Sequence, residues 1–166
     1  MKRILTLSLL LGIIAVFLSG CIVIPRYERF DIAEDTVSSI EIYDLRECGD
    51  RFGGAGFLET ETPVYEIPQE KKADFLKSLY NIRFTNHIVI IIAAVDPSFS
   101  YGEWVARINY TDGRYELISC QGYGETFNES GELVSWNHFG CDDDEWNGFI
   151  GEYVPDEIFG SQSADG

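Results

Sequence analysis

Besides Cys21, the side chains that could carry metal or nucleophilic chemistry are three cysteines and two histidines: Cys48, His87, Cys120, His138 and Cys141. A structural zinc ion needs four ligands, which usually come as two closely spaced pairs. His138 and Cys141 form one close pair, and the sequence holds no second one. The sequence therefore predicts no zinc site, and it contains no cofactor-binding motif.

A cysteine nucleophile needs a histidine base within hydrogen-bond reach and a third group that orients the base. Cys120 or Cys141 with His87 or His138 could form such a site in a cell-envelope hydrolase, and a set of carboxylates could serve instead. Packed thiols and surface histidines explain the same residues. The spacing does not choose between these interpretations.

The three cysteines allow at most one internal disulfide, with three possible pairings. Export would permit a bridge without requiring one. The pairing of Cys120 with Cys141 is favoured, because it would tie a predicted strand to the helix that follows it. Free buried thiols are the alternative that the sequence leaves open.

Asp142, Asp143, Asp144 and Glu145 form the densest run of charge in the chain. Calcium prefers such oxygen ligands, but the run lacks the alternating acidic loop that wraps this ion. In the first turn of a helix, the same acids would face the helix dipole and its free N–H groups. We expect Asp142 to cap this helix, and the four acids are the candidate contact for a partner or a cation.

The chain is strongly acidic, with a formal charge of −16. No lysine or arginine follows Arg114, whereas twelve acids lie between Glu116 and Asp165. Such a field repels nucleic acid and anionic lipid headgroups, so neither is expected as a partner. It attracts a basic protein surface or a divalent cation, and a well-solvated surface is the simpler alternative.

Five aromatic residues lie on or beside the predicted hairpins: Tyr101, Trp104, Tyr123, Trp136 and Phe139. Tyrosine and tryptophan are frequent anchors of binding surfaces. They are also the residues that a small sheet needs to cover its core. Both interpretations stay open at this point.

The start of the chain has the parts of a secretory signal peptide. A positive start, Lys2-Arg3, precedes an apolar run over residues 4–18, and small residues then lead to Cys21. The sequence therefore predicts export from the cytoplasm, with the rest of the chain as the exported protein.

The end of this segment, Leu18-Ser19-Gly20-Cys21, resembles the lipobox of bacterial lipoproteins. The resemblance implies cleavage before Cys21, diacylglycerol on its thiol, and lipid anchoring at the cell membrane on the extracytoplasmic side. The alternative is an uncleaved transmembrane anchor, since residues 4–25 carry no charge and about 20 apolar residues span a bilayer.

Alternation and turn signals predict a mainly antiparallel sheet. The apolar run from His87 to Val95 indicates a central strand that is buried on both faces. Pro63 either places its strand at an edge or bends it, and Asp112-Gly113 suits a hairpin turn. The predicted strands cover residues 37–45, 57–67, 87–95, 103–110, 114–121, 125–127 and 133–139.

Two amphipathic helices are predicted. The first begins at Pro68 and should bury a stripe with Phe75 beside it: Ala73, Leu76, Leu79 and Tyr80. The second begins after Asp142, ends at Pro155 and should bury another stripe: Trp146, Phe149, Ile150 and Tyr153. Together with the strands, these helices give an α+β fold, with one mid-chain and one C-terminal helix packed on the sheet.

The 166 residues fit one domain with short appendages. We expect a signal peptide over residues 1–20, a lipidated tether over 21–35, a single α+β domain over 36–155 and a flexible tail over 156–166.

The globular part is similar to small uncharacterised lipoproteins of Gram-positive bacteria. The likeness rests on Ser39-Ile40-Glu41-Ile42-Tyr43, a short helix, the turn over residues 110–115 and a terminal aromatic helix. It implies no activity and no site residues. Because no catalytic constellation is evident, we expect a membrane-anchored, non-enzymatic binding module. The alternative is a cell-envelope hydrolase with a Cys/His or carboxylate site.

Overall fold

A computed structural model of the chain describes residues 23–46, 58, 61–89, 102–120, 124–137 and 140–160. In chain order its strands are β1 (Val23–Glu28), β2 (Val37–Asp44), β3 (Tyr65–Glu66), β4 (Phe84–Val89), β5 (Trp104–Tyr110), β6 (Tyr115–Ser119), β7 (Gly124–Phe127) and β8 (Leu133–Asn137). Six of them form one antiparallel sheet in the order β3-β2-β5-β6-β7-β8, and β1 pairs with β4 in a separate two-stranded sheet.

One helix lies between β3 and β4 in the chain, and two more follow β8. They are α1 (Gln69–Asn81), α2 (Asp143–Gly151) and the four-residue α3 (Asp156–Phe159), and a short 3-10 turn covers Glu34–Thr36. The predicted α+β class, with an antiparallel sheet, a mid-chain helix and a C-terminal helix, is confirmed.

The main core lies between one face of the large sheet and the two longer helices. Its buried members include Ile40, Ile42, Ile108 and Ile118 from the strands and Phe75, Leu79, Trp146 and Ile150 from the helices. Because successive strand residues point to opposite faces, the other face carries a second buried cluster: Tyr43, Leu45, Val105, Leu117 and Phe127, with Leu58 against it.

Both predicted hairpins are confirmed. The turn between β5 and β6 places Gly113 at a φ of +86°, and the turn between β7 and β8 places Gly131 at a φ of +79°. A side chain strains the backbone in this left-handed region, so glycine suits both positions. In the first turn, the N–H of Tyr110 donates to the carbonyl oxygen of Arg114 at 2.8 Å and closes the hairpin.

The apolar face of α1 is rotated from the predicted one. The helix begins one residue after Pro68, and its buried residues are Phe75, Leu76 and Leu79. Ala73 and Tyr80, which were expected on the buried stripe, are exposed. A helical stripe spans well over 100°, so its exact centre depends on which residues of the sheet face it.

The predicted strand over residues 57–67 is mostly wrong in its described part. Only Tyr65–Glu66 are strand, although the N–H groups of Val64 and Ile67 also donate to carbonyl oxygens of β2, at 2.9 Å each. Pairing starts just after Pro63, which has no N–H to donate. The predicted edge position is confirmed, since β3 lies at one end of the sheet order.

The expectation of a central strand from residue 87 onward is wrong for the residues that the structure describes. β4 begins three residues earlier, at Phe84, and pairs with β1 outside the large sheet. Residues 90–95 lie outside the described part. The structure also differs from the predicted tether over residues 21–35, because Val23–Glu28 pair along their whole length with β4.

Pro155 starts a helix where we expected one to end. α2 stops at Gly151, and Pro155 caps the N-terminus of α3. Phe159 of α3 stacks on Trp104, with ring centroids 5.3 Å apart and planes 13° from parallel. Proline is tolerated at a helix start because the first N–H groups lack intrahelical partners. The structure therefore differs from the expected tail at residues 156–160, and residues 161–166 lie outside the described part.

Glu116 should make the stability of the domain fall as the pH rises. The hydroxyl of Tyr110 donates to Glu116 Oε2 at 2.7 Å, and burial raises the pKa of Glu116 above its ordinary 4.5. The folded state therefore holds this proton more tightly than the unfolded chain, and stability decreases as the pH climbs from 4.5 through the folded pKa. We expect Glu116→Gln to gain up to about 1 kcal/mol at pH 7 and nothing near pH 4.

Urea unfolding of both proteins across this pH range measures the difference. Glu157→Gln, an exposed position in α3, is the control and should follow the wild-type curve. A constant offset between Glu116→Gln and wild type at every pH would contradict the prediction.

Candidate functional site

One corner of the domain brings together two candidate cysteines and the acidic run. Cys120 directly follows β6, and Cys141 directly precedes Asp142 at the start of α2. The N–H of Cys141 donates to the carbonyl oxygen of Cys120 at 3.0 Å, so the two backbones lie side by side. We call this region the acidic corner: Cys120, Cys141, Asp142, Asp143, Asp144 and Glu145.

The small sheet closes one side of the acidic corner. Gly140 and Thr85 exchange two backbone hydrogen bonds, of 2.8 and 3.1 Å, which tie β4 to the residues before α2. An open cleft of about 400 Å³ lies where β4 meets the start of α2. Its lining residues are Arg83, Thr85, Gly140, Cys141, Asp142 and Glu145. All four acids of the run are exposed, so their charge is presented to solvent.

Asp142 caps α2 as predicted. Its Oδ1 accepts from the N–H groups of Asp144 at 3.0 Å and of Glu145 at 3.2 Å. Two of the N–H groups that an α-helix leaves without intrahelical partners are thereby satisfied. The other three acids occupy the first turn, where the positive end of the helix dipole offsets part of their mutual repulsion.

Two substitutions of Asp142 distinguish the effect of its capping hydrogen bonds from the effect of its negative charge. We expect Asp142→Ala to lower the free energy of unfolding by about 1 kcal/mol, because both N–H groups lose their acceptor. Asp142→Asn removes the same charge but keeps a capping oxygen, so it should stay within about 0.5 kcal/mol of wild type. Chemical denaturation monitored by circular dichroism measures both variants. Equal losses in the two would show that the charge, and not the cap, stabilises α2.

The surroundings of both thiols disfavour the reactive thiolate. Burial raises the pKa of Cys120 well above its ordinary range, and so does the Asp143 carboxylate that accepts a hydrogen bond from this thiol. Burial and the charges of Glu145, Asp143 and Asp142 raise the pKa of Cys141 to about 12. Catalytic cysteines sit in electropositive surroundings that lower the pKa. This corner therefore opposes use of either thiol as a nucleophile.

No group of three metal-binding side chains converges among the described residues. His87 lies on β4, where its backbone pairs with Pro25 of β1. Cys48 and His138 lie outside the described residues. The proposed Cys/His pairs and the calcium interpretation of the acids thus receive no geometric support from the part of the chain that the structure describes.

For Trp104, the structure favours the core interpretation over the binding-surface interpretation. Trp104 is 1 % exposed and belongs to the main core. Trp136 lies on β8, at the edge of the large sheet. Tyr101, Tyr123 and Phe139 lie outside the described residues, so both interpretations stay open for these three and for Trp136.

Arg83 is the one basic residue among the described residues that line the cleft, and the sequence did not indicate it. It lies between α1 and β4, and it reaches the cleft because β4 is tied to Gly140. Its guanidinium also stacks on the ring of Tyr27, 4.1 Å from the ring centroid. No local pattern signals this position, since Gly140 follows Arg83 by 57 positions in the chain.

No helix within the described ranges combines the length and the apolar character that crossing a membrane requires. The predicted signal peptide and Cys21 precede those ranges. In comparisons with known proteins, no family model, no curated protein and no solved structure matches this chain.

Proposed function

We propose that this chain is an exported lipoprotein, anchored by lipid on Cys21, whose domain is a non-enzymatic module that binds a basic protein segment at the acidic corner. The observation that carries the proposal is the exposed acidic run beside an open cleft. The predicted lipobox indicates the proposed cellular location, which is the extracytoplasmic face of the cell membrane.

The anchor would hold this domain close to the bilayer. β1 begins at Val23, two residues after Cys21, and pairs with β4 over six residues. Extended chain advances about 3.3 Å per residue, so roughly 7 Å of chain separates the lipidated residue from folded structure. A lipoprotein with so short a linker between its lipid and its folded domain would meet partners at the membrane surface.

Charge favours a basic partner at the acidic corner. Four acids and one arginine surround or adjoin the cleft, and the described residues between Glu116 and Gly160 include no lysine or arginine. Such one-signed surfaces speed encounter with oppositely charged partners and discriminate against acidic ones. The raised pKa values of both thiols argue against the cysteine version of the hydrolase alternative.

Capture from envelope extract tests the binding proposal. The immobilised domain should enrich at least one basic protein, and the double variant Asp144→Asn/Glu145→Gln should retain several-fold less of it, especially at low salt. Asp156→Asn/Glu157→Gln is the matched control, because it neutralises two exposed acids in the first turn of another helix. Equal capture by both double variants, or no capture by wild type, would refute the acidic corner as a binding site.

Labelling with a radioactive fatty acid tests the anchor separately. Wild type should take up the label and fractionate with membranes, whereas Cys21→Ser should fold normally and carry no lipid. An unlabelled, uncleaved wild-type chain in the membrane fraction would replace the lipid anchor with the transmembrane alternative.

A further inference from the structure

We propose that Cys120 and Cys141 form a structural disulfide in the exported protein, which clamps the first turn of α2 to the end of β6. This inference rests on the export that is part of the proposed function, because disulfides persist in oxidising compartments outside the cytoplasm. The bridge would hold the acidic corner in place, and it would not act as a redox switch.

Backbone geometry brings the two residues within bridging distance. The N–H of Cys141 donates to the carbonyl oxygen of Cys120 at 3.0 Å. With ordinary bond lengths, this one hydrogen bond keeps the two Cα atoms within about 7 Å of each other, and the charge of Cys141 acts on the pKa of the Cys120 thiol, as expected of neighbouring thiols. Disulfides span Cα separations of about 4.4–6.8 Å. The hydrogen bond therefore holds the two residues at about the separation that a disulfide spans.

Packing and hydrogen bonds hold both residues in place. Cys120 is buried and packs in the main core, with Cys141 partly buried against the same cluster. Cys141 is also fixed from its other side, because Gly140 exchanges two hydrogen bonds with Thr85. In the structure both are free thiols, and the thiol of Cys120 donates to the Asp143 carboxylate. Forming the bridge replaces this one hydrogen bond.

The chemistry requires a disulfide oxidant, such as oxidised glutathione or an extracytoplasmic thiol oxidoreductase. A cysteine thiolate attacks one sulfur of the oxidant, whose S–S bond breaks, and the second cysteine then displaces the remaining half. Two electrons pass from the cysteine sulfurs to the oxidant, and the two protons lost by the cysteines end on the two thiols of the reduced oxidant.

Burial and the surrounding acids affect when the bridge forms and how slowly it is reduced. Both raise the pKa of the thiols in the folded state, so the bridge should close while the chain is still folding. Once it has formed, burial limits attack on its sulfurs and a high thiol pKa makes each sulfur a poor leaving group. Reduction of the folded protein should therefore be slow.

Mass spectrometry of the exported protein tests the bridge. Thiols are alkylated under denaturing conditions without reductant, and the peptides are then mapped. We expect a linked pair that contains Cys120 and Cys141, with Cys48 alkylated, and Cys48→Ser should leave this pair intact. An exported, processed protein with three alkylated thiols, or with Cys48 in the bridge, would overturn the inference. The proposed export and lipid anchoring would not be affected by that result.

A refolding experiment tests disulfide formation independently of export. Denatured, reduced domain that refolds with oxidised glutathione should form the same pair, whether or not the chain proves to be exported. Reduced domain that has already folded should form it more than about tenfold more slowly. Failure to form the pair during refolding counts against the bridge alone, and failure of the chain to be exported counts against the proposed function.

Thermal unfolding provides a second readout. Cys120→Ser, Cys141→Ser and the double variant should all melt about 5–10 °C below oxidised wild type, as expected for a bridge that closes a loop of about 20 residues. Because the same bridge is lost in each case, the double variant should lose clearly less than the sum of the two single losses, and added reductant should shift none of the three further. Additive shifts in the double variant would overturn the inference.

Discussion

Replacing Trp146 with alanine should lower the free energy of unfolding by about 3–5 kcal/mol, the range for removing a large aromatic side chain from a core. Trp146 is completely buried, between the sheet and the rest of α2. Its ring lies 5.4 Å from that of Phe149 and 6.2 Å from that of Phe84, centroid to centroid. It therefore joins α2, the large sheet and β4 in one cluster.

The indole of Trp146 also makes a buried polar contact. Its Nε1–H donates to the carbonyl oxygen of Trp104 at 2.9 Å. Trp146→Phe keeps most of the ring volume but removes this donor, so it should cost about 1–3 kcal/mol. The gap between the phenylalanine and alanine variants then measures the packing contribution separately from the hydrogen bond.

Urea unfolding followed by far-ultraviolet circular dichroism measures both variants. Tyr80→Ala is the control, because it removes an aromatic ring from an exposed face of α1; it should cost less than about 1 kcal/mol. A Trp146→Ala variant as stable as the control would contradict the assignment of Trp146 to the centre of the core.

Arg46→Ala should release α3 from the domain and lower stability by about 2–4 kcal/mol, because it leaves the mostly buried Asp44 carboxylate without its cationic partner. Arg46 donates to both oxygens of Asp44, at 2.9 and 2.6 Å. The same guanidinium donates to the carbonyl oxygens of Phe159 at 2.9 Å and Ile158 at 3.3 Å, and it stacks on Trp104 at 4.6 Å.

The attachment of α3 depends on this arginine because the helix is very short. Four residues cannot sustain a helix alone in water, so Arg46 and the stacking of Phe159 on Trp104 must hold it. We expect amide hydrogen exchange over residues 156–160 to accelerate at least tenfold in Arg46→Ala. Arg46→Lys should recover little, since lysine lacks the planar fork that engages a carboxylate and two carbonyls at once.

A double-mutant cycle with Phe159→Ala checks this interpretation. If Arg46 and Phe159 hold the same element, the double variant should lose clearly less than the sum of the two single losses. Strict additivity, or unchanged exchange over residues 156–160 in Arg46→Ala, would show that α3 is held independently of Arg46.

Local sequence patterns were sufficient to predict several structural features of this protein. Asp112-Gly113 and the turn containing Gly131 produced two hairpins, and the acidic run after Cys141 produced a capped helix. In each case the determining interactions join residues within four or five positions: a positive φ in a turn, or a side-chain oxygen on a helix N–H. The same short-range signals were enough to predict the α+β class.

Long-range pairing was decided only by the tertiary structure. The strand that begins at Phe84 could have joined the large sheet, but it pairs with β1, in a segment that the sequence predicts to be a tether. Composition tells how buried a strand is and does not name its neighbour. Proline gives a similar lesson, because Pro155 is compatible with either the end or the start of a helix.

The candidate site combines both kinds of information. The acids of α2 and the individual cysteines can be read from the sequence, as can the cap made by Asp142. Only the folded chain places Cys141 against Cys120 and draws Arg83 to the cleft. These contacts join residues far apart in the chain, through a sheet whose strand order no local pattern encodes. The sequence by itself thus determined the chemistry of the corner, and the tertiary structure determined which of those groups meet.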